Sequence, residues 1–400
     1  MKPIKITIKG SYLDCQLYRG WLYLWSFDGR LSVYDWNSIV DSLCENRADE
    51  LAFKFSFKDG NYLYKQSLVE LFCDNDFRTL LIDKFQKIEP YNLTISEKKL
   101  RRFLIGEMET PSGQPPIDTE IYNSNLYYCV DNGLYKANAH KVGGNPVSSK
   151  PTKLWDARLL SLKANKYPQI ALSAGSDGLF ELSVAREDEF FNLRNVEKQI
   201  HQVSDRHSSF ANYANLSIYS SSLAGPSYMA LYNWQEDNFG KAKREYSDMI
   251  DSSDIFGDNL EDLSWGVDGK VFRARNNGFN VISFNNYEEH KRFNKQKDFK
   301  KNLSKGRIIG GASAFFGNIV EFENGLRAIL TDGNVLDVNQ PVTRWRIYPR
   351  SLNYENQLHV LLDDEMRVYA FNHDYFISQI DKILGIEYKD EVAIRRYHKR

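Results

Sequence analysis

The chain signals its fold most clearly in one stretch: Trp21-Leu22-Tyr23-Leu24-Trp25-Ser26-Phe27, then Asp28-Gly29, then Arg30-Leu31-Ser32-Val33-Tyr34. Two strand-like runs flank a two-residue turn. A tight hairpin needs positive φ at its turn, and Asn, Asp and Gly adopt such angles at least cost. Asp-Gly between two such runs is therefore a strong short-range signal for a β-hairpin.

The same pattern recurs along the chain. Similar flanks surround four further turns and one degenerate turn: Asn132-Gly133, Asp177-Gly178, Asp268-Gly269, Asp332-Gly333 and Asp364-Glu365. Asn132 and Asp177 are 45 residues apart, and Asp177 and Asp268 are 91 apart, which places a further turn near Ser222. A period of about 40–50 residues, with four strands per unit, is typical of β-propellers.

We therefore predict an all-β fold, a β-propeller with seven candidate blades, or six if one turn is misassigned. The gap of 64 residues from Asp268 to Asp332 is attributed to a charged insertion between blades. The short gap of 32 residues to Asp364 is attributed to ring closure, with strand Ile4–Ile8 completing the last sheet. The competing interpretation is a set of unrelated hairpins in a β-sandwich or in two β-domains.

The domain prediction is a single propeller over residues 1–373 with an insertion at about 37–110. Within that insertion, residues 38–44 are expected to form a short helix, residues 53–64 a further hairpin, and residues 97–102 a helical turn or loop. Residues 374–400 are predicted to form a short amphipathic C-terminal helix and a basic tail.

Composition fits a folded protein, with 42% hydrophobic and 26% charged residues. The net charge of −1 argues against a global nucleic-acid binder. No apolar run reaches the roughly 18 residues of a membrane span, and the N-terminus lacks a signal-peptide pattern. These features predict a cytoplasmic protein without membrane partners. Four scattered cysteines do not suggest a disulfide framework.

Catalytic and cofactor motifs are not found in the sequence. The chain has no phosphate-binding loop, dinucleotide fingerprint or nucleophile elbow, and its seven histidines lack metal-ligand pairing. The aspartates of the repeated turns are explained by the turns themselves. We therefore predict no catalytic, metal-binding or cofactor-binding residues.

Two charged segments interrupt the repeat and are predicted to be loops. The basic segment, residues 290–307, has one acid, Asp298, and eight cations that form the predicted partner-binding site: Lys291, Arg292, Lys295, Lys297, Lys300, Lys301, Lys305 and Arg307. They could bind phosphates, with Phe293 and Phe299 available for base stacking. The acidic segment, residues 236–262, has nine acids against three cations, and the two segments could neutralise each other.

The hairpins resemble those of WD40-type or related propellers. The resemblance rests on the residues 28–36 and 177–182, and Trp155-Asp156 is the one Trp-Asp pair. It implies a rigid platform for protein complexes.

Three functions remain open on the sequence. The favoured one is a non-catalytic interaction platform or scaffold subunit of a cytosolic complex, with other proteins as partners. The first alternative is a nucleic-acid-associated subunit that uses the basic segment. The second is an enzyme with a site in the central channel, which requires a polar, carboxylate-lined pocket there.

Overall fold

The computed structural model describes residues 2–59, 74–111, 113–139, 146–148, 150–184, 200–236, 242–258, 262–285, 292–295, 298–303, 305–314, 316–351 and 353–372. Their strands form seven sheets of at least four strands each. Each sheet is one blade, whose strands we name A to D from the channel outward. The predicted C-terminal helix and tail, residues 374–400, lie outside the described residues.

The first three blades follow the chain in order. Blade 1 contains β2 (Asp14–Tyr18), β3 (Trp21–Trp25), β4 (Arg30–Asp35) and β6 (Leu104–Glu109). Blade 2 contains β7 (Asp118–Tyr122), β8 (Asn125–Val130), β9 (Gly133–Asn138) and β10 (Thr152–Trp155). Blade 3 contains β11 (Ser161–Ala164), β12 (Gln169–Ser173), β13 (Leu179–Ser183) and β14 (Ile200–Ser204).

The next three blades have the same A-to-D order. Blade 4 contains β15 (Phe210–Ala214), β16 (Ser217–Ser221), β17 (Tyr228–Glu236) and β18 (Ala242–Asp251). Blade 5 contains β19 (Ser264–Val267), β20 (Lys270–Arg275), β21 (Gly278–Phe284) and an outer strand in two pieces, β22 (Phe293–Lys295) and β23 (Phe299–Lys300). Blade 6 contains β24 (Ile308–Ala314), β25 (Gly317–Phe322), β26 (Gly325–Leu330) and β27 (Val335–Val338).

Blade 7 closes the ring, as predicted, by joining the two ends of the chain. It contains β28 (Arg344–Ile347), β29 (Gln357–Leu361), β30 (Glu365–Ala370), β1 (Ile4–Lys9) and β5 (Leu93–Ile95). β1 pairs antiparallel with β30 over six residues, and β5 pairs parallel with β1. Ile4, Ile6 and Ile8 are fully buried, so closure also adds apolar burial.

Hydrophobic clusters fill the spaces between neighbouring blades. The described residues contain seven such clusters, one for each pair of adjacent blades. Between blades 1 and 2, for example, Trp25 and Tyr128 lie with their ring centroids 5.4 Å apart. The A strands of successive blades contact one another, so their exposed edges surround a central channel.

The Asp-Gly turns are turn formers, as predicted, but not all occupy the same place in a blade. Asp28, Asn132, Asp177, Ser222 and Asp364 lie in B–C turns. In the first of these, the backbone N–H of Arg30 donates to Asp28 Oδ1 at 3.3 Å.

Two turns were assigned to the wrong place in the repeat. Asp268 has a φ of +45° in the A–B turn of blade 5, and Asp332 lies in the C–D turn of blade 6. The gaps of 64 and 32 residues therefore compare different turns, and neither the insertion nor ring closure is needed to explain them.

The insertion in blade 1 is helical where a hairpin was predicted. It contains α1 (Trp36–Asp41), α2 (Glu50–Phe57), α3 (Asn75–Ile88), α4 (Glu97–Leu100) and two 3-10 turns, Arg47–Asp49 and Arg101–Phe103. The Phe-Lys-Phe-Ser-Phe run resembles a strand, but Phe53 and Phe57, four residues apart, bury together on one helical face. Residues 60–64 lie outside the described part. The predicted helix at 38–44 and helical turn at 97–102 are confirmed, with shifted ends.

The charged segments are strands where loops were predicted. The acidic segment contains β18 and the short helix α5 (Ser252–Phe256), and the basic segment contains β22 and β23. Each supplies the outer strand of its blade because the neighbouring C strand needs hydrogen-bond partners along its open edge. In the part of the chain that the structure describes, no helix is long and apolar enough to cross a lipid bilayer.

Candidate functional site

A cavity of about 630 Å³ occupies the central channel. It is lined by A strands and by A–B turns, including those that follow β2, β7 and β28. We call the side of the ring that carries the A–B and C–D turns the A–B face, and the opposite side the B–C face. The cavity reaches the A–B face, where Tyr18 and Tyr122 line its mouth.

Alternating polar residues on three A strands build a charged wall, of which Gln16, Asp118, Glu120 and Arg346 line the cavity. β2 carries Asp14 and Gln16, β7 carries Asp118 and Glu120, and β28 carries Arg344 and Arg346. Residues two apart on a strand point to the same side, so each strand presents its pair together. The ring geometry brings these pairs from blades 1, 2 and 7 against one another.

Arg346 is the centre of an ion-pair network. Its Nε donates to Asp14 Oδ1 at 2.8 Å, and its Nη2 donates to Asp118 Oδ1 at 2.6 Å. Arg344 adds a bond from Nη2 to the carbonyl of Ile117 at 2.8 Å, and Thr119 Oγ1 donates to Asp14 Oδ2 at 2.7 Å. Burial alone would raise the pKa of Asp14, but the charges of Arg346 and Arg344 outweigh it, and the pKa is lowered.

Arg350 extends the network toward the mouth. Its Nη2 donates to Glu120, its Nη1 donates to the carbonyl of Asn165 at 3.1 Å, and its guanidinium lies 5.6 Å from the ring centre of Tyr122. With Arg346 and Arg344, it engages all three carboxylates of this wall. Asp14, Asp118 and Glu120 are therefore held as ion-pair partners, which opposes their use as free acids or bases.

Lys163 on β11 is the exception. Among the described residues, its ammonium has neither a hydrogen-bond nor an ion-pair partner, and it lines the same cavity. Burial lowers the pKa of Lys163, and the nearby charge of Glu120 acts in the opposite direction. Ser161 on the same strand and Asn212 on β15 also line the cavity.

The opposite wall of the cavity includes several small residues. Ala211, Gly311 and Ala312 line it there. A Cβ at Gly311 would lie 2.4 Å from the ring of Trp265, so only glycine fits against that side chain. This wall is small because the core between blades 5 and 6 extends to the channel edge.

A cysteine and a histidine meet near the charged wall, but their surroundings favour the neutral forms of both. Cys15 Sγ lies 3.7 Å from His359 Nδ1, which also lies 3.1 Å from the hydroxyl of Tyr348. Burial lowers the pKa of His359 to about 3 and raises the pKa of the Cys15 thiol. A nucleophilic cysteine needs the thiolate, so this arrangement fits a structural role.

A second feature projects from the A–B face. β17 pairs with β16 over Tyr228–Ala230 only, yet it pairs with β18 from Tyr228 to Glu236. The β17–β18 hairpin thus extends beyond its blade. Trp234 and Tyr246 on it are 38% and 49% exposed.

The projecting hairpin is anchored at its base. Arg244 Nη1 donates to Glu181 Oε2 of blade 3 at 2.7 Å, and both side chains are buried. The guanidinium of Arg244 lies 3.5 Å from the ring centre of Tyr232. Trp234 packs edge-on against Tyr167 of blade 3, with ring centroids 5.5 Å apart. These contacts hold the exposed aromatic side chains on a rigid base.

The predicted partner-binding residues are dispersed along the edge of blade 5. Lys301 Nζ donates to the carbonyl of Gly333 at 3.1 Å, and Lys305 Nζ lies 2.9 Å from Asp337 of blade 6. Three cations are exposed: Lys295, which lies 3.7 Å from Asp298, Lys300 and Arg307. Arg292 is half-buried, and Lys291 and Lys297 lie outside the described residues.

Three acids of the acidic segment pair with arginines of neighbouring strands and turns. Asp251 lies 2.5 Å from Arg206, Asp258 lies 2.5 Å from Arg273, and Asp262 lies 3.2 Å from Arg275. These pairs, with that of Lys305 and Asp337, give each charged segment partners within the blades.

Sequence reasoning missed the channel wall, although a signal was present. The runs Asp14-Cys-Gln-Leu-Tyr18 and Asp118-Thr-Glu-Ile-Tyr122 share acids and tyrosines at matching positions, and Arg344-Trp-Arg-Ile-Tyr348 places arginines at the matching positions. Charges at alternate positions of a strand that borders the channel mark side chains that can share one network.

Comparisons with known proteins bear on the fold alone. No family model matches the chain, and no curated protein matches it. Among solved structures, the β-propeller domain of Cps50 (Swd1) from Myceliophteria thermophila is similar over 93% of this chain and 100% of that chain, with 6% identity and a TM-score of 0.49. BBS1N, solved in complex with ARL6DN, is similar over 93% of this chain and 98% of that chain, with 9% identity and a TM-score of 0.48. The seven blades themselves establish the propeller.

Proposed function

We propose that the protein is a non-catalytic interaction platform of a cytoplasmic protein complex and that it docks a partner protein on its A–B face. The observation that carries this proposal is the β17–β18 hairpin, which projects from that face with exposed aromatic side chains on an anchored base. The resemblance to WD40-type propellers belongs to the same proposal, since such propellers are rigid platforms.

The exposed aromatics have the chemistry of an interface centre. Trp and Tyr are enriched among the residues that dominate binding energies between proteins. Trp234 is fixed by Tyr167, and Tyr246 packs edge-on against Tyr232 with ring centroids 5.8 Å apart. Because these side chains are already ordered, binding would cost little conformational entropy. The partner surface should offer apolar side chains to this cluster.

The channel chemistry supports a binding role over catalysis. A polar, carboxylate-lined pocket is present, as the enzyme alternative requires. Of the acids that line it, Asp118 and Glu120 are held by Arg346, Arg344 and Arg350, and Asp59 accepts a hydrogen bond from Asn353. The pKa of Asp14, behind the lining, is lowered further from the neutral range. Catalytic acids and bases need pKa values near the working pH, and lowering the pKa of a carboxyl opposes this.

Nucleic-acid binding through the basic segment remains a second proposal. It is supported by the exposed cations Lys295, Lys300 and Arg307 along the outer strand of blade 5 and the residues after it. The support is weaker because Lys301 and Lys305 already contact blade 6.

The test of the platform compares two faces of the ring. We expect the wild-type protein to capture a stoichiometric partner from the native host, and Trp234→Ala with Tyr246→Ala to lose it. The matched control is Leu223→Ser on the B–C face, where Leu223 is 62% exposed. Capture that survives the double variant, or that is lost equally in the control, would contradict docking on the A–B face.

A further inference from the structure

One cation of the cavity, Lys163, takes no part in the ion pairs of the charged wall. Arg346, Arg344 and Arg350 are each bonded to a carboxylate or a carbonyl of the channel. Lys163 lines the same cavity without such a partner among the described residues. An ammonium group has three hydrogens to donate, and that of half-buried Lys163 is free to donate them to an acceptor that enters the cavity.

Two further polar side chains accompany Lys163. Ser161 lies two residues before it on β11 and therefore shares its side of the strand. Asn212 lies on β15, the A strand of the next blade, which contacts β11. Ser161 and Asn212 also have no hydrogen-bond partner for their side chains within the described part of the chain. Adjacent strands thus present an ammonium, a hydroxyl and an amide to one cavity.

We propose that this cavity binds a small organic anion whose carboxylate or phosphate group pairs with Lys163. Ser161 and Asn212 donate further hydrogen bonds to that group. This inference goes beyond the platform function and does not depend on it.

The remainder of the cavity suits the body of such a ligand. Its volume of about 630 Å³ falls within the range of roughly 300–1,000 Å³ typical of small-molecule sites. Ala211, Gly311 and Ala312 leave space on the wall facing the charged network, and Phe210 adds an apolar surface. Tyr122 at the mouth offers a ring face for packing, held beside Arg350.

A site built around the ammonium of Lys163 should bind anions in preference to cations and to neutral molecules of the same shape. An ammonium is a compact point charge that accepts either a carboxylate or a phosphate. The two anion classes are therefore separated by experiment, with inorganic phosphate as one probe and benzoate as the other. Benzoate also tests whether an aromatic body enters the cavity.

The experiment measures the acetylation rate of Lys163 in the full-length protein. Trace acetic anhydride labels the lysines, and peptide mass spectrometry gives the rate at each one. Lys5, exposed on β1, serves as the internal reference. At constant ionic strength in chloride, at least one probe should slow labelling of Lys163 about tenfold at ten times its Kd, because only the free site reacts. Labelling of Lys5 should not change.

A variant series gives an independent readout by thermal unfolding. The probe that protects Lys163 should raise the Tm of the wild type and of Lys5→Met, and should have no effect on Lys163→Met. Asn212→Ala should weaken binding without removing it.

Three results would overturn the proposal. Lys163 could label at an unchanged rate with both probes, it could fail to label in chloride without either probe, or Lys163→Met could retain the full Tm shift. The labelling experiment uses the wild type, so it decides the question even if Lys163→Met does not fold.

Discussion

The channel is bordered by two unlike arcs of the same ring. In blades 7, 1 and 2, the A strands carry Arg346, Asp14 and Asp118, which are tied into one network. In blades 4 to 6, the channel-side positions include Ala211 and Gly311, and hydrophobic packing reaches the channel edge. Both arcs have the same backbone architecture. The repeat therefore fixes where the strands lie, and the side chains at alternate positions of the A strands decide what the channel can bind.

The charged arc also joins the two ends of the chain. Arg346 and the strand β28 come from the C-terminal part, whereas Asp14 comes from the first strand of blade 1. Electrostatic pairing and the β1–β30 strand pairing thus hold the same region of the ring. We expect perturbations of the charged arc to affect stability more than those of the small-residue arc.

The largest effect is expected for Arg346→Met. Removing this guanidinium leaves Asp14 and Asp118 buried without their main partner, which should lower the free energy of unfolding by about 3–5 kcal/mol. Urea unfolding measures it. The control is Arg30→Met, whose ion pairs are exposed and contribute about 0–1 kcal/mol. Equal losses of unfolding free energy in the two variants would show that the buried ion pairs of the charged arc contribute no more than exposed ones.

A rescue experiment separates lost pairing from lost packing. Adding Asp14→Asn and Asp118→Asn to Arg346→Met removes the stranded charges, so much of the stability should return. If the triple variant is no more stable than Arg346→Met alone, uncompensated charge is not the cause.

Acid should weaken the charged arc in a defined direction. The pKa of Asp14 is lower in the folded protein than in the unfolded chain. Its contribution to stability is therefore fully present above the unfolded pKa of about 3.9 and is lost as the pH falls through the folded pKa. Urea midpoints measured from pH 6 to pH 3 should fall less steeply for Asp14→Asn than for the wild type. A steeper fall for the variant would contradict the assigned direction.

A smaller loss of stability is expected from a substitution on the small-residue arc. In Gly311→Ala, the added Cβ would meet the ring of Trp265 at 2.4 Å, and such overpacking should lower the free energy of unfolding by about 1–3 kcal/mol. Gly225→Ala is the control, since the nearest atom to its added Cβ lies 3.7 Å away. Urea unfolding should separate the two, and a neutral Gly311→Ala would mean that this wall is loosely packed.

The smallest effect on stability is expected outside both arcs. Lys300→Glu with Arg307→Glu changes exposed cations at the edge of blade 5 and should alter the free energy of unfolding by no more than about 0.5 kcal/mol per site. If the basic segment binds nucleic acid, the same variant should lose affinity for single-stranded DNA and the salt dependence of binding should become shallower. Unchanged affinity would remove that second proposal.

The repeated turn residues were enough to predict the propeller, because a hairpin forms between residues that are neighbours in the sequence. Asp28-Gly29 and Asn132-Gly133 mark B–C turns correctly, and Gly133, with φ +143°, would place a Cβ 2.3 Å from the Trp155 carbonyl oxygen. The same chemistry occurs in A–B and C–D turns, so Asp268 and Asp332 were assigned to the wrong turn. Helix α2 was missed because the burial of Phe53 and Phe57 depends on the blade beneath them.

The channel site was harder to predict for a related reason. Asp14, Asp118 and Arg346 are separated by more than a hundred residues along the chain and meet only when the ring closes. Lys163 is notable for the partners it lacks, and that property depends on where every neighbouring side chain lies. The projecting hairpin of blade 4 likewise depends on the length of β17 relative to β16.

The central claim is that the A–B face binds the partner. Hydrogen exchange of the protein with and without its captured partner tests this most directly. The account predicts slowed exchange in the β17–β18 hairpin and in the A–B turn that contains Tyr167, with no change in the B–C turns at Asp28 and Ser222. Protection confined to those B–C turns would contradict it.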